Sequence, residues 1–125
     1  MAKVMLVDDL TFTRLMQKDI LEPAGHEIIA QAQNGVQAVE KYKELMEAGN
    51  KPDVVIMDIT MPEMNGLEAT KKILEMDPDA KIIICSAMGQ QKIIIEAIEI
   101  GVKDFIVKPI KEERLLSAID KALRG

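Results

Sequence analysis

Aromatic side chains are nearly missing from this chain of 125 residues, which has two Phe, one Tyr and no Trp. Its core must therefore be aliphatic, and the nine Met residues read mostly as filler for irregular gaps. Cysteine is as scarce. Cys85 stands alone, which excludes an intramolecular disulfide and a Cys-pair metal site and makes it an inert buried thiol. The lone histidine, His26, has no partner motif and reads as a solvent-facing residue at a strand start. No apolar run approaches the roughly 18 residues of a membrane span. Met1-Ala2-Lys3-Val4 leads straight into an apolar run, with no signal-peptide cleavage region. An excess of positive charge is lacking too: 16 basic residues against 21 acidic give −5. A surface of that sign repels phosphates and disfavours nonspecific nucleic-acid binding. These absences fit a cytoplasmic, freely diffusing monomer with no membrane or nucleic-acid partner.

What the chain does have is aliphatic residues in a regular order. Hydrophobic residues make up 48% of it, enough for a packed single domain over residues 1–125. Val4–Val7, Ile28–Ala30, Val54–Met57, Ile82–Cys85 and Phe105–Val107 are continuous short apolar runs rich in Val and Ile. That pattern marks strands buried on both faces of a parallel sheet. Between them lie segments of helical period. The stripes are Phe12, Leu15, Met16 and Ile20; Val39, Tyr42 and Met46; Leu67, Thr70, Ile73 and Leu74; and Leu115, Leu116, Ile119 and Leu123. Gly25, Asn34-Gly35, Gly49-Asn50, Asp77-Pro78 and Gly101 punctuate the boundaries, and Asn65-Gly66 opens the third helix. The order is βα repeated five times, an α/β fold with right-handed crossovers and helices on both faces of a five-stranded parallel sheet.

In such a sheet ligands bind beyond the carboxyl ends of the strands. The first run ends in Asp8-Asp9, the third in Asp58, the fourth in Ser86 and the fifth in Lys108, whereas the second ends in nothing chemically distinctive. Three carboxylates brought to one rim repel one another, and desolvation sharpens the repulsion. Lys108 supplies one offsetting charge and a divalent cation would supply two. The all-oxygen donor set selects Mg²⁺, or Mn²⁺ in its place, over Zn²⁺. A carboxylate can act as nucleophile toward phosphorus and become an acyl phosphate. Lys108 and Mg²⁺ would neutralise the phosphoryl oxygens and Ser86 would donate a hydrogen bond to one of them.

Val7-Asp8-Asp9, Met57-Asp58-Ile59-Thr60-Met61-Pro62-Glu63-Met64-Asn65-Gly66, Ser86-Ala87 and Lys108-Pro109 carry a family likeness. In order and spacing, over the whole chain, they resemble the bacterial response-regulator receiver domain. Ser86-Ala87-Met88-Gly89-Gln90-Gln91 and Lys103-Asp104-Phe105-Ile106-Val107-Lys108-Pro109 are similar to its chemotaxis members in particular. The resemblance implies a flavodoxin-like doubly wound (βα)5 fold with strand order 2-1-3-4-5. It implies Asp58 as the residue phosphorylated by a histidine kinase. Asp8, Asp9 and Asp58 would hold Mg²⁺ with the backbone carbonyl of Thr60. Ser86 becomes the switch hydroxyl and Phe105 the aromatic rotamer switch, a position often Tyr. Lys108-Pro109 matches a motif that takes a cis peptide. The output partner would be a flagellar motor switch protein, or a phosphatase. Such a chain is no enzyme in the usual sense, though it assists its own phosphorylation and dephosphorylation.

The fourth helical segment departs from a one-faced pattern. Ile93, Ile94, Ile95, Ala97, Ile98 and Ile100 span an arc too wide for one core contact, while Lys92, Glu96 and Glu99 mark its solvent side. Ile94 and Ile98, beside Phe105, are read as part of a docking face. A plain core aromatic is the alternative reading of Phe105. Two other functions share parts of this pattern. A phosphorelay intermediate, passing its phosphoryl group to another histidine protein, would carry the same acid pocket. A Mg²⁺-dependent aspartyl phosphatase would need an acid near its nucleophile for the leaving group, and the second residue after Asp58 is Thr60.

Overall fold

The computed structural model describes residues 1–61 and 64–125; Pro62 and Glu63, part of the motif after Asp58, lie outside the described residues. The element order is β1(Lys3–Val7), α1(Thr11–Leu21), β2(Glu27–Ala32), α2(Gly35–Glu47), β3(Val54–Asp58), α3(Gly66–Met76), β4(Ile82–Ser86), α4(Gln91–Ile100), β5(Asp104–Val107) and α5(Glu112–Arg124). All strand pairs are parallel and the sheet order is β2-β1-β3-β4-β5. The (βα)5 reading and the flavodoxin-like order both hold.

Strand alternation divides the core in two. Met5, Val7, Val55, Met57, Ile82 and Ile84 face one way, against Tyr42 of α2, Ile73 of α3 and Ala97 of α4. Val4, Leu6, Val54, Ile56, Ile83 and Ile106 face the other way, against Leu21 of α1 and Leu115 and Ile119 of α5. β3 and β4 lie inside the sheet and are buried at every residue, which is why they read as unbroken apolar runs. Among the described residues no helix is long and apolar enough to cross a membrane.

Two side chains fix helix starts near the functional rim. Asn34 accepts from Gln37 N at 2.8 Å and Asn65 accepts from Glu68 N at 2.9 Å, each capping an otherwise orphaned backbone donor. Gly66 follows Asn65 because a Cβ there would collide with the Asp58 carbonyl oxygen. That close approach lets the chain fold back over the end of β3, where Gly66 N donates to Ile59 O at 2.8 Å.

The structure corrects the sequence reading in two places. The expected inward stripe of α1 is turned: Phe12 is 74% exposed and Leu15 53% exposed, while Arg14, Gln17 and Leu21 are buried. Arg14 wins the inward place because it finds polar partners there, donating through Nη1 to Asp8 O and through Nε to Gln31 Oε1. His26 is likewise buried rather than solvent-facing. Its Nδ1 accepts from Ala2 N at 3.0 Å. Burial first, and the nearby terminal ammonium second, hold its pKa below the ordinary value, which keeps the imidazole a neutral acceptor.

Candidate functional site

The carboxyl ends of β1, β3, β4 and β5 meet at one rim. Asp8 is fully buried and Asp58 is 5% exposed, while Asp9 faces solvent. One carboxylate oxygen from each lies within 4.8 Å of the others. Lys108 reaches across from the end of β5, with its Nζ 3.1 Å from Asp58 Oδ1 and 3.3 Å from Asp8 Oδ2. Backbone bonds hold this geometry: Asp8 N donates to Ala32 O, Ile59 N to Cys85 O, and Lys108 N to Ser86 O at 2.7 Å. The Lys108-Pro109 peptide is cis.

The electrostatics follow from that crowding. Burial, then the neighbouring Asp8 charge, push the Asp58 pKa up to about 6, and Lys108 offsets only part of this. Burial works against the Lys108 charge, but the Asp58 and Asp8 carboxylates outweigh it and raise its pKa. The site therefore carries more negative charge than one lysine balances. Its donors are all carboxylate oxygens, one set facing solvent through Asp9, which fits a hard divalent cation such as Mg²⁺ with open positions.

Ser86, fully buried at the end of β4, adds a second sign of an unfinished site. Its Oγ has no hydrogen-bond partner among the described residues, a costly state for a buried hydroxyl unless something is to fill it. Cys85 beside it is buried, and burial pushes its thiol up to about 12, so it is chemically inert as expected. Thr60, two residues after Asp58, is exposed and offers a hydroxyl where an aspartyl phosphatase would want an acid.

The remaining expected residues lie next to this rim. Phe105 is half-buried against the core at the edge of an open groove of about 520 Å³ between α4 and β5. Ile94 is buried in the groove wall, whereas Ile95 and Ile98 are 56% and 53% exposed. The wide apolar arc of α4 is thus divided between core and solvent. Sequence reasoning missed Arg14, whose guanidinium braces the Asp8 carbonyl, and Gln90, whose side chain bonds both Ala87 N and Thr60 Oγ1. Their spacing alone did not mark them, because each also needs a partner far along the chain, Gln31 for Arg14 and Thr60 for Gln90.

Comparison with known proteins agrees with this geometry. The family model described as the response regulator receiver domain matches residues 4–120. The chain is 58% identical over 119 residues to the chemotaxis protein CheY of Thermotoga maritima, covering 95% of both chains. It is 55% identical over 121 residues to the chemotaxis protein CheY of Bacillus subtilis, covering 97% of both. Among solved structures it resembles the CheX-CheY-BeF3-Mg+2 complex from Borrelia burgdorferi with TM-score 0.87 and 37% identity, covering 94% of this chain and 85% of that one. By its strand order, its acidic rim and its sequence, the chain belongs to the response-regulator receiver domain family.

Proposed function

We propose that this chain is a phosphorylation-operated switch of the chemotaxis type, with Asp58 as the acceptor. The observation that carries the reading is the buried Asp58 carboxylate paired to Lys108 at 3.1 Å, at the end of a strand whose neighbour, β4, ends in the unpartnered Ser86 hydroxyl. A carboxylate oxygen of Asp58 attacks the phosphorus of a phosphohistidine, and a new O–P bond forms as the P–N bond breaks. The electron pair leaves with the imidazole nitrogen, which then takes a proton from solvent. Lys108 neutralises the incoming phosphoryl oxygens and Ser86 donates its idle O–H to one of them. Asp8, Asp9, Asp58 and the backbone carbonyl of Thr60 would hold Mg²⁺, which supplies Lewis-acid charge at the transferring group.

Phosphorylation then shifts a two-state equilibrium in the α4–β5 region. Ser86 ends β4 and leads into α4, so a new bond from its hydroxyl draws that strand end toward Asp58. Phe105, at the edge of the α4–β5 groove, can turn as the strand end moves. Support for the partners comes from the relatives named as chemotaxis proteins and from the solved CheX complex. A histidine kinase would be the donor, and a flagellar motor switch protein or a phosphatase would read the α4 face, where Ile95 and Ile98 stand exposed. The test is hydrogen exchange with and without beryllofluoride, an acyl-phosphate mimic, alongside binding to a purified motor switch protein. Residues 86–110 should change protection, and the mimic should raise partner affinity. Changes confined to α2 and α3 would remove the proposed output face.

A further inference from the structure

Gln90 sits at the start of α4 but does not serve that helix with its side chain. Asn34 and Asn65, at the same place on α2 and α3, cap their own helices, whereas Gln90 makes no side-chain cap. Its amide goes elsewhere. Oε1 accepts from Ala87 N at 2.8 Å, and Nε2 donates to Thr60 Oγ1 at 3.2 Å. Ala87 follows the buried Ser86 at the end of β4, and Thr60 lies two residues past Asp58 at the end of β3. One side chain therefore ties together the two loops that leave the rim on either side of the acceptor.

We propose that Gln90 is a positioning residue that latches the unphosphorylated arrangement of the β4–α4 loop. The proposal rests on the reading of Asp58 as acceptor. A phosphoryl group there brings anionic oxygens that need donors. The Ser86 hydroxyl is idle and available, but the next donor along the chain, Ala87 N–H, is already taken by Gln90. For the loop to close on the phosphoryl group, the amide must release Ala87. The open groove behind the loop, lined by Met88, Gln90, Ile94 and Phe105, leaves room for that movement. A contact made in only one of two states biases the equilibrium by its own worth. Two solvent-facing hydrogen bonds amount to about a five- to tenfold bias.

The experiment uses the full chain with three substitutions. Gln90→Met keeps the length of the side chain and removes both hydrogen bonds. Thr60→Val removes one of them. Gln91→Met changes the neighbouring exposed glutamine and serves as the control. Beryllofluoride affinity in Mg²⁺, the rate of phosphorylation by acetyl phosphate, the Ala87 amide resonance and the melting temperature are measured for each. Gln90→Met should bind beryllofluoride about five- to tenfold more tightly and phosphorylate faster by a similar factor. Its Ala87 amide resonance should shift, with little change in melting temperature. Thr60→Val should gain less and Gln91→Met nothing. If wild type is phosphorylated on Asp58 and Gln90→Met matches it or binds beryllofluoride more weakly, the latch is wrong and the acceptor stands. If wild type binds no beryllofluoride and takes up no phosphoryl group, the acceptor reading fails and the latch falls with it.

Discussion

Neutralising Asp58 should stabilise the metal-free protein, although it deletes one side of an ion pair. Asp58 is held at about 6 against an ordinary 3.8, and that net rise already includes the attraction of Lys108. In the folded state the charged carboxylate is disfavoured by about two pKa units, or about 3 kcal/mol at neutral pH. Because the folded pKa is raised, the stability from this group is fully present below the unfolded value and is lost as pH rises through about 6. Asp58→Asn should therefore melt about 10 °C higher than wild type at pH 7 in chelator, for a chain of this length. The gain should shrink to under about 1 kcal/mol near pH 4, where the folded carboxyl is protonated and the unfolded one is only about half ionised. Adding Mg²⁺ should raise the wild-type melting temperature and leave the variant nearly unmoved. Thermal melts followed by circular dichroism across that pH range read all three effects. A variant that melts at or below wild type at pH 7 without metal, or a gain that ignores pH, would show that carboxylate crowding is not what limits the apo protein.

Other substitutions probe how the rim is built. Gly66→Ala should cost at least about 2 kcal/mol, because its Cβ meets the Asp58 carbonyl and the backbone must give way; the urea midpoint reads it. Asp104 is paired with Arg114 through two bonds of 3.0 Å. Burial alone would raise its pKa, but the guanidinium outweighs that and holds it below the ordinary value. That stability is present above the unfolded carboxylate pKa and is lost as pH falls through the folded one. Arg114→Met should therefore lower stability at neutral pH, and its gap to wild type should narrow below about pH 4. A gap of constant size would assign the loss to packing instead.

Fold and site were not equally legible in the chain. β3 and β4 announced themselves because both of their faces are covered, which forces continuous apolar runs. Asp8, Asp9, Asp58, Ser86 and Lys108 could be placed on one rim because each directly ends or follows such a run, and parallel strands put their ends together. The inward face of α1 could not be read in the same way. Hydrophobic spacing favoured Phe12 and Leu15, but the inside position beside Asp8 and Gln31 offers acceptors, so Arg14 occupies it and the apolar pair is left exposed. His26 misled for a similar reason: its partner, Ala2 N, lies just before the neighbouring β1 and leaves no mark near residue 26. Gln90 reads as an ordinary polar residue before a helix until the end of β3 comes within reach of its amide. Periodicity reports burial of apolar groups, and it is blind to polar groups whose burial depends on a partner far along the chain.

Phosphoryl uptake at a single carboxylate decides the functional reading. The protein is incubated with acetyl phosphate and Mg²⁺, weighed intact, then reduced with borohydride and digested so that the acyl phosphate is located by peptide mass. Wild type should gain one phosphoryl group, reduction should mark Asp58, and Asp58→Asn should gain none. A phosphoryl group that still appears on Asp58→Asn at the wild-type rate, or a wild type that takes up none, would contradict the assignment of Asp58 as the acceptor.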